Sequence, residues 1–282
     1  MLALNIKNLN KSYPTFQLKD VSFQLEQGYI MGFIGANGAG KTTTIKSMLN
    51  MIQPDSGEVH ILGRNIAEYE TELKQEIGYA LGGFDFYSRS KIKKLTSVVK
   101  GFYTNWDDET YYSYLRRFKL DENKKITELS TGMKVKYNLA LALSHGSKLI
   151  ILDEPTSGLD PIARDELLDI FQNLVVDGEI SILFSTHITS DLEKCADFIT
   201  FIDNGQIINS CEKEEFVESY RLLNGAESQL NQVKEQLISY KINSFGFTGL
   251  IHSQDFDPSS DIKAATPSLE EIMIYFAKKE NI

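Results

Sequence analysis

Cysteine is nearly absent from this chain, as are long apolar runs and any excess of positive charge. Its 282 residues include two cysteines, Cys195 and Cys211, too few for a disulfide framework and without the spacing of a metal site, a usage suited to a reducing compartment. Aspartate and glutamate outnumber lysine and arginine by 39 to 29, a formal net charge of −10. The field of such a chain repels polyanions, which makes nucleic acid a poor partner. The longest strictly apolar runs, such as LALAL at 139–143 and LIIL at 149–152, fall far short of the roughly 20 residues that span a bilayer, so a membrane role would have to come from another chain. The N-terminus, MLALNIKNLNK, lacks the charged-then-apolar pattern of a secretory signal and alternates as a half-buried strand does. There is no internal repeat and no low-complexity tract.

What remains is ordinary globular composition, 42% hydrophobic and 24% charged, with length for one large domain and a smaller appendage. Strand-like runs at 2–7, 20–25 and 29–34 lead into GANGAGKTT, and a helical pattern over 41–50 stops at QPDSG. A strand at 58–62, a helix near 69–76 and the strand IGYAL at 77–81 come next, after which the pattern is helical to about 145. Residues 84–114 of that insert concentrate aromatics: Phe84, Phe86, Tyr87, Phe102, Tyr103, Trp106, Tyr111, Tyr112 and Tyr114. Either they form the insert's own core or they face a partner.

Beyond the insert, strands KLIIL, SILFS and FITFID alternate with helices at about 161–175 and 189–196, the rhythm of a mostly parallel, helix-covered sheet. Asn204-Gly205 predicts a tight hairpin to QIINS. From about 213 we expect a short helix, a strand at YRLLNG, a helix over 226–237, then ISYKIN and the amphipathic helix SLEEIMIYFAKK. Leu223, Ala226, Leu230, Val233, Leu237 and Tyr240 keep heptad spacing, too briefly for a coiled coil.

Gly35-Ala36-Asn37-Gly38-Ala39-Gly40-Lys41-Thr42 fits G-x-x-x-x-G-K-[ST] at every fixed position, after an apolar strand and at the start of a helix. Glycines there let successive N–H groups turn inward, the helix N-terminus adds positive potential, and Lys41 neutralises β- and γ-phosphate oxygens. These eight residues with Thr43 are the expected ATP cradle, and the Thr42 hydroxyl a ligand to Mg²⁺. LIILDE, at 149–154, is a buried strand ending in two carboxylates. Neighbouring strand-end residues point in different directions, which assigns Asp153 to the metal and Glu154 to the general base. Alone, such a run also describes a strand entering a solvated loop.

The P-loop, LSTGMK at 129–134, LIILDEP, the loop Ser157-Gly158-Leu159-Asp160 and His187 after SILFST come in the order and spacing of ABC-type ATPase domains, and residues 2 to about 212 resemble that family. The resemblance implies an α/β P-loop NTPase fold over 1–212, with an N-terminal antiparallel β subdomain and a helical insert at about 84–145. Residues 213–282 would then be a small α+β appendage. It further implies ATP hydrolysis by Lys41, Glu154 and the switch histidine His187, with Tyr13 stacking on adenine. In the family two ATPase domains pack head to tail, and the LSGGQ signature of one closes on the γ-phosphate of the other. LSTGMK keeps Ser130 and Gly132 and replaces the usual Gly and Gln by Thr131 and Met133. Ser130 also suits an ordinary helix N-cap, as does Asp160, with proline following it; by resemblance Asp160 belongs to the loop that joins the two nucleotide sites.

The layout and the ending TPSLEEIMIYFAKK are similar to ATPase subunits of bacterial ABC-2-type exporters, including peptide and toxin export systems. This implies a homodimer or a heterodimer with a similar ATPase subunit, an integral membrane permease, and residence on the cytoplasmic inner face of the cell membrane. Two other readings are a soluble ABC ATPase acting on nucleic acid or ribosomes, and a low-turnover regulatory switch. The long coiled coil or basic linker of the first is not found. The second draws on one departure from the family pattern: Gly82-Gly83 stands where a glutamine usually reaches the metal and the attacking water. Asp85 is a nearby substitute, and paired glycines loosen the hinge into the insert. Gly82→Gln is expected to change ATPase stimulated by the membrane subunit more than nucleotide affinity. Steady-state turnover beside nucleotide titration checks this, and no change in either would mean the loop is misaligned.

Overall fold

The computed structural model describes residues 1–80 and 89–278. Strands β1 (Leu2–Tyr13) and β2 (Phe16–Glu26) open the chain as an antiparallel pair. Strand β3 (Ile30–Ile34) and helix α1 (Lys41–Met48) leave them, and β4 (Ser56–Ile61) and β5 (Arg64–Asn65) return to give a four-stranded sheet ordered β2-β1-β4-β5. The first two strands run longer than their alternation predicts. Register shifts lie at Ile6/Leu9 and Leu9/Lys11, and Asn8 is left-handed with φ 47; bulges break the period-two pattern by which a strand is recognised.

Helix α2 (Glu70–Gln75) and β6 (Ile77–Ala80) lead to α3 (Ile92–Lys100), α4 (Asp108–Arg117) and α5 (Thr131–Ser144). Then β7 (Leu149–Asp153), α6 (Pro161–Val175), β8 (Ser181–Thr186), α7 (Thr189–Cys195), β9 (Phe198–Asp203) and β10 (Gln206–Glu212) alternate. They build a six-stranded sheet ordered β10-β9-β3-β8-β7-β6, parallel from β9 to β6. Asn204 and Gly205 turn at φ 44 and 74 between β9 and β10, the positive pair that a tight type I′ connection needs.

Parallel strands are covered on both faces, hence their unbroken apolar runs. Met31, Phe33, Leu149, Ile151, Leu183 and Ile202 share one core with Ile45 and Met48 of α1 and with Leu4, Ile6, Val21 and Phe23 of the antiparallel sheet. On the other face Phe184 meets Phe171 of α6 at 5.6 Å between ring centroids. Gly32 lies so close to α7 that a Cβ there would come within 2.0 Å of Leu192 Cδ2. In the helical insert, a buried Thr96 hydroxyl joins the phenols of Tyr111 and Tyr137 at 2.7 and 2.9 Å. The insert's aromatics are therefore divided: Tyr111 is core, whereas Phe102 and Tyr112 stay exposed. Phe84, Phe86 and Tyr87 lie outside the described residues, as do Gly82, Gly83 and Asp85. Among the described residues no helix is long and apolar enough to cross a membrane.

The chain divides into two compact units, Met1–Ile208 and Asn209–Ile282. In the second, α8 (Lys213–Glu218) precedes β11 (Tyr220–Gly225), and α9 (Leu230–Val233) is one short turn of helix. The expected helix over 226–237 is thus shortened to a 3-10 turn at Glu227–Gln229 that runs into α9. Strand β12 (Leu237–Asn243) begins at Leu237, and β13 (Gly246–His252) and β14 (Lys263–Ala265), unseen in the pattern, complete an antiparallel sheet ordered β12-β13-β11-β14. Helix α10 (Leu269–Lys278) follows. Leu223, Leu230, Val233, Leu237 and Tyr240 do collect in one core with Phe247 and Ile251. Their spacing arises from a strand, a turn of helix and a second strand converging, so tertiary packing overrides the apparent period.

His145, just beyond α5, is 3% exposed. Its ring stacks on Tyr103 at 3.7 Å, and Nδ1 lies 3.0 Å from the Gln75 carbonyl oxygen. Burial pushes its pKa below the ordinary value. The folded chain therefore takes up fewer protons than the unfolded chain as pH drops through the free histidine value of about 6.5, and stability present above that value is lost below it. His145→Phe, which keeps a ring against Tyr103, is expected to flatten the fall in unfolding midpoint between about pH 7.5 and 5.5, as read by thermal melts of both proteins.

Candidate functional site

The five residues of β3 are all buried and run parallel to β8, with Ile34 opposite Thr186. Gly35 leaves the strand where a Cβ would sit 2.4 Å from the carbonyl oxygen of Ile202, so nothing larger fits. Gly40, the residue before α1, is left-handed at φ 114, and its missing Cβ would lie 2.8 Å from Leu18 and 2.9 Å from Phe16. The loop is thus pressed against the core at both glycines. Within it the Ala39 N–H donates to the Ala36 carbonyl at 3.1 Å. Lys41 is buried to 6% exposure, and its ammonium donates to the carbonyls of Gly35 at 2.7 Å and Ala36 at 3.2 Å.

Strand β7 ends with Asp153 opposite Ser185 of β8. The Ser185 hydroxyl donates to Asp153 Oδ1 at 2.6 Å, and Thr42 donates to Oδ2 at 2.8 Å. Ser185 Oγ also accepts the Glu154 N–H at 3.0 Å. Glu154 is left-handed, φ 52, an uncommon conformation for a residue with a Cβ, and its side chain leaves Asp153 for two other partners. Oε1 lies 3.3 Å from Lys41 Nζ, and Oε2 lies 2.7 Å from Nδ1 of His187. Asp153 faces hydroxyls, whereas Glu154 stands between an ammonium and an imidazole. A cleft of about 360 Å³ is lined by Asn37, Gly38, Lys41, Thr42, Thr43, Glu154, Ser157 and His187, with Phe16 beside them.

Not every expected residue belongs to this cleft. Tyr13 is 41% exposed, with Lys11 Nζ 5.9 Å from its ring centroid; Phe16, at the start of β2, lines the cleft and Tyr13 does not. Ser130 caps α5, its hydroxyl accepting the Met133 N–H at 3.3 Å, and Asp160 caps α6 by accepting from Ile162 and Ala163 at 3.0 Å each. Such caps are worth about 1 kcal/mol. Gly132 is buried close to Leu159, whose Cδ2 would lie 3.3 Å from a Cβ there. Two residues of the site escaped the sequence analysis. Phe16, which lines the cleft, carries no motif, and Ser185, hydrogen-bonded to Asp153, carried one overlooked signal: it is one of three polar residues in a fully buried strand.

A family model described as ABC transporter matches residues 18–157. Over 96% of this chain and 97% of its relative, 31% of residues are identical to the ABC transporter ATP-binding protein YtrB of Bacillus subtilis (strain 168). The chain belongs to the ABC transporter ATP-binding proteins. The bacitracin transport ATP-binding protein BcrA of Bacillus licheniformis is 34% identical over 71% of this chain and 67% of its own. The solved ATP binding subunit of an ABC transporter superposes with a TM-score of 0.68 at 27% identity, covering 76% of this chain and 91% of that one. The ADP conformation of another ABC transporter cassette gives 0.65 at 25% identity, covering 76% and 92%. This ABC protein is accordingly an ATP-binding, ATP-hydrolysing subunit of a transporter, with the P-loop NTPase fold of the ABC cassettes.

The two loop glycines separate packing from binding. Gly35→Ala must displace the Ile202 carbonyl and is expected to lower the unfolding midpoint. A Cβ added at Gly38, where φ is 85, would meet no atom within 4 Å, so Gly38→Ala should cost only about 1–2 kcal/mol of backbone strain and weaken nucleotide binding instead. Melting curves and titration with a fluorescent ATP analogue check both.

Proposed function

We propose that residues 35–43, Asp153, Glu154 and His187 form one half of a composite ATPase site. The observation that carries this reading is the Glu154 carboxylate held between Lys41 and His187 at the mouth of the glycine loop. The Gly35–Thr43 backbone cradles the phosphates, and Lys41 neutralises their oxygens. Thr42 and Asp153, hard oxygen donors 2.8 Å apart, suit Mg²⁺, which takes one or two protein oxygens and completes its shell from phosphate and water. When bound, the ion supplies positive charge against the β- and γ-phosphate oxygens. Glu154 accepts a proton from the attacking water as the bond between the γ-phosphorus and its bridging oxygen breaks. His187 holds the other oxygen of that carboxylate and so orients it. Phe16 offers its ring in the cleft for the base, and Tyr13 is the second aromatic that the family resemblance assigns to it.

The second half of the site is supplied in trans. Ser130 caps α5 and leaves the first N–H groups of that helix directed outward, where a γ-phosphate held by a second ATPase subunit would be stabilised. Asp160 and Ser157 lie on the loop that joins the two sites. The mover in this reading is a separate permease, in keeping with the transport roles named for this chain's relatives. Its cytoplasmic segment docks on the helical insert, where Phe102 is 73% and Val98 52% exposed, an arrangement that fits residence at the inner face of the membrane. Likeness to the bacitracin transport protein BcrA, together with the subfamily resemblance of the ending, favours export.

Glu154→Gln keeps the shape of the site and removes the base. Turnover should fall on the order of 10²–10⁴-fold while ATP binding persists, and light scattering should find an ATP-dependent dimer that Ser130→Ala weakens. Full-speed turnover by a monomer, indifferent to Ser130, would overturn the composite site.

A further inference from the structure

Behind the cleft lies a carboxylate that the hydrolytic groups do not use. Asp191, in α7, has no exposed surface. Its Oδ2 accepts hydrogen bonds from Thr156 Oγ1 at 2.6 Å and from Thr186 Oγ1 at 3.2 Å, and Oδ1 accepts from the Nε of Arg164 on α6. Arg164 also donates through Nη2 to Ser190 at 2.6 Å. Thr156 and Thr186 are themselves buried, at 1% and 0% exposure. Each stands next to a residue that lines the cleft: Thr156 precedes Ser157, and Thr186 precedes His187. The Thr186 hydroxyl accepts the Ile188 N–H at 3.0 Å, and the Ser157 N–H returns to the Glu154 carbonyl at 3.2 Å.

A charge in such a place is retained only when it is fully paired, and a paired one has few alternative arrangements. We infer that Asp191 is a positioning residue for ATP hydrolysis. Through the Thr156 and Thr186 hydroxyls it fixes the loop after Glu154 and the end of the strand that carries His187, so that base and imidazole keep their mutual 2.7 Å contact. Arg164 supplies the compensating charge and ties the N-terminal part of α6 to the same point. Asp191 does not line the cleft itself. Its effect is geometric, and it rests on the assignment of Glu154 and His187 to hydrolysis given above.

The test compares Asp191→Asn, Thr156→Val, Thr156→Ser and His187→Ala in the full chain, with ATP and MgCl₂. Asp191→Asn should lower kcat by about tenfold or more, as misplacement of a catalytic group does, and leave KM and the affinity for a fluorescent ATP analogue within about twofold. The imidazole proton resonances of His187 should shift in the same variant. Thr156→Val, which removes one hydroxyl without removing the charge, should lower kcat in the same sense, and Thr156→Ser should restore it. Should Asp191→Asn fail to fold, the Thr156 pair decides alone. Unchanged kcat and His187 resonances in a folded Asp191→Asn, or Thr156→Val equal to wild type, overturns the positioning role. If His187→Ala keeps full turnover, the site reading fails and this inference with it; if His187→Ala is impaired while Asp191→Asn is not, only the inference fails.

Discussion

The parallel register of β3, β7 and β8 is the constraint on which the reactive groups depend. Ile34 lies opposite Thr186, and Asp153 opposite Ser185, so three strands deliver their C-terminal ends to one edge. Every group of the cleft apart from Phe16 follows one of these ends within nine residues. Open parallel sheets bind ligands outside the carboxyl ends of their strands for this reason. The buried runs that hold the register are also why the ends are rigid: Ile30, Met31, Leu149, Ile150, Ile182 and Leu183 are all 1% exposed or less.

On that edge, two adjacent carboxylates receive different surroundings. Asp153 continues the strand and meets hydroxyls from Thr42 and Ser185, a setting that favours a metal ligand. Glu154, turned by its left-handed backbone, meets Lys41 and His187. One serine makes the separation, since its hydroxyl donates to the first carboxylate and accepts the backbone N–H of the second. The separate surroundings of the two neighbouring carboxylates thus follow from one backbone dihedral and one buried hydroxyl.

Local helix chemistry serves two ends elsewhere. Ser130 and Asp160 each cap a helix within their own chain. A capped N-terminus still turns its remaining N–H groups and its dipole outward, so a stabilising cap and a trans phosphate contact do not compete. Gly132, packed near Leu159, brings α5 against the loop that follows Glu154. In the second unit, by contrast, the small antiparallel sheet carries Phe245 at a hairpin tip, 94% exposed, and has an apolar core of its own.

What could be read from the residues in order was what is encoded locally. The glycines of 35–40 announce a phosphate loop because close packing at Gly35 and left-handed backbone at Gly38 and Gly40 require them, Asn204-Gly205 announces its turn, and the buried runs before Asp153 and His187 announce parallel strands. The heptad spacing of 223–240 misled because a strand, a turn of helix and another strand share one apolar face, and β13 and β14 depend on partners distant in sequence. Ser185 and Asp191 gain their meaning from hydrogen bonds to residues that sequence does not order: Asp153 for the first, Thr156 and Arg164 for the second. The chain by itself determined which chemical groups are present and how each short segment bends, since those follow from side chain and backbone preference. Only the tertiary structure decided which carboxylate meets which cation and which hydroxyl stands between them, because such contacts are made across strands whose pairing is set by burial.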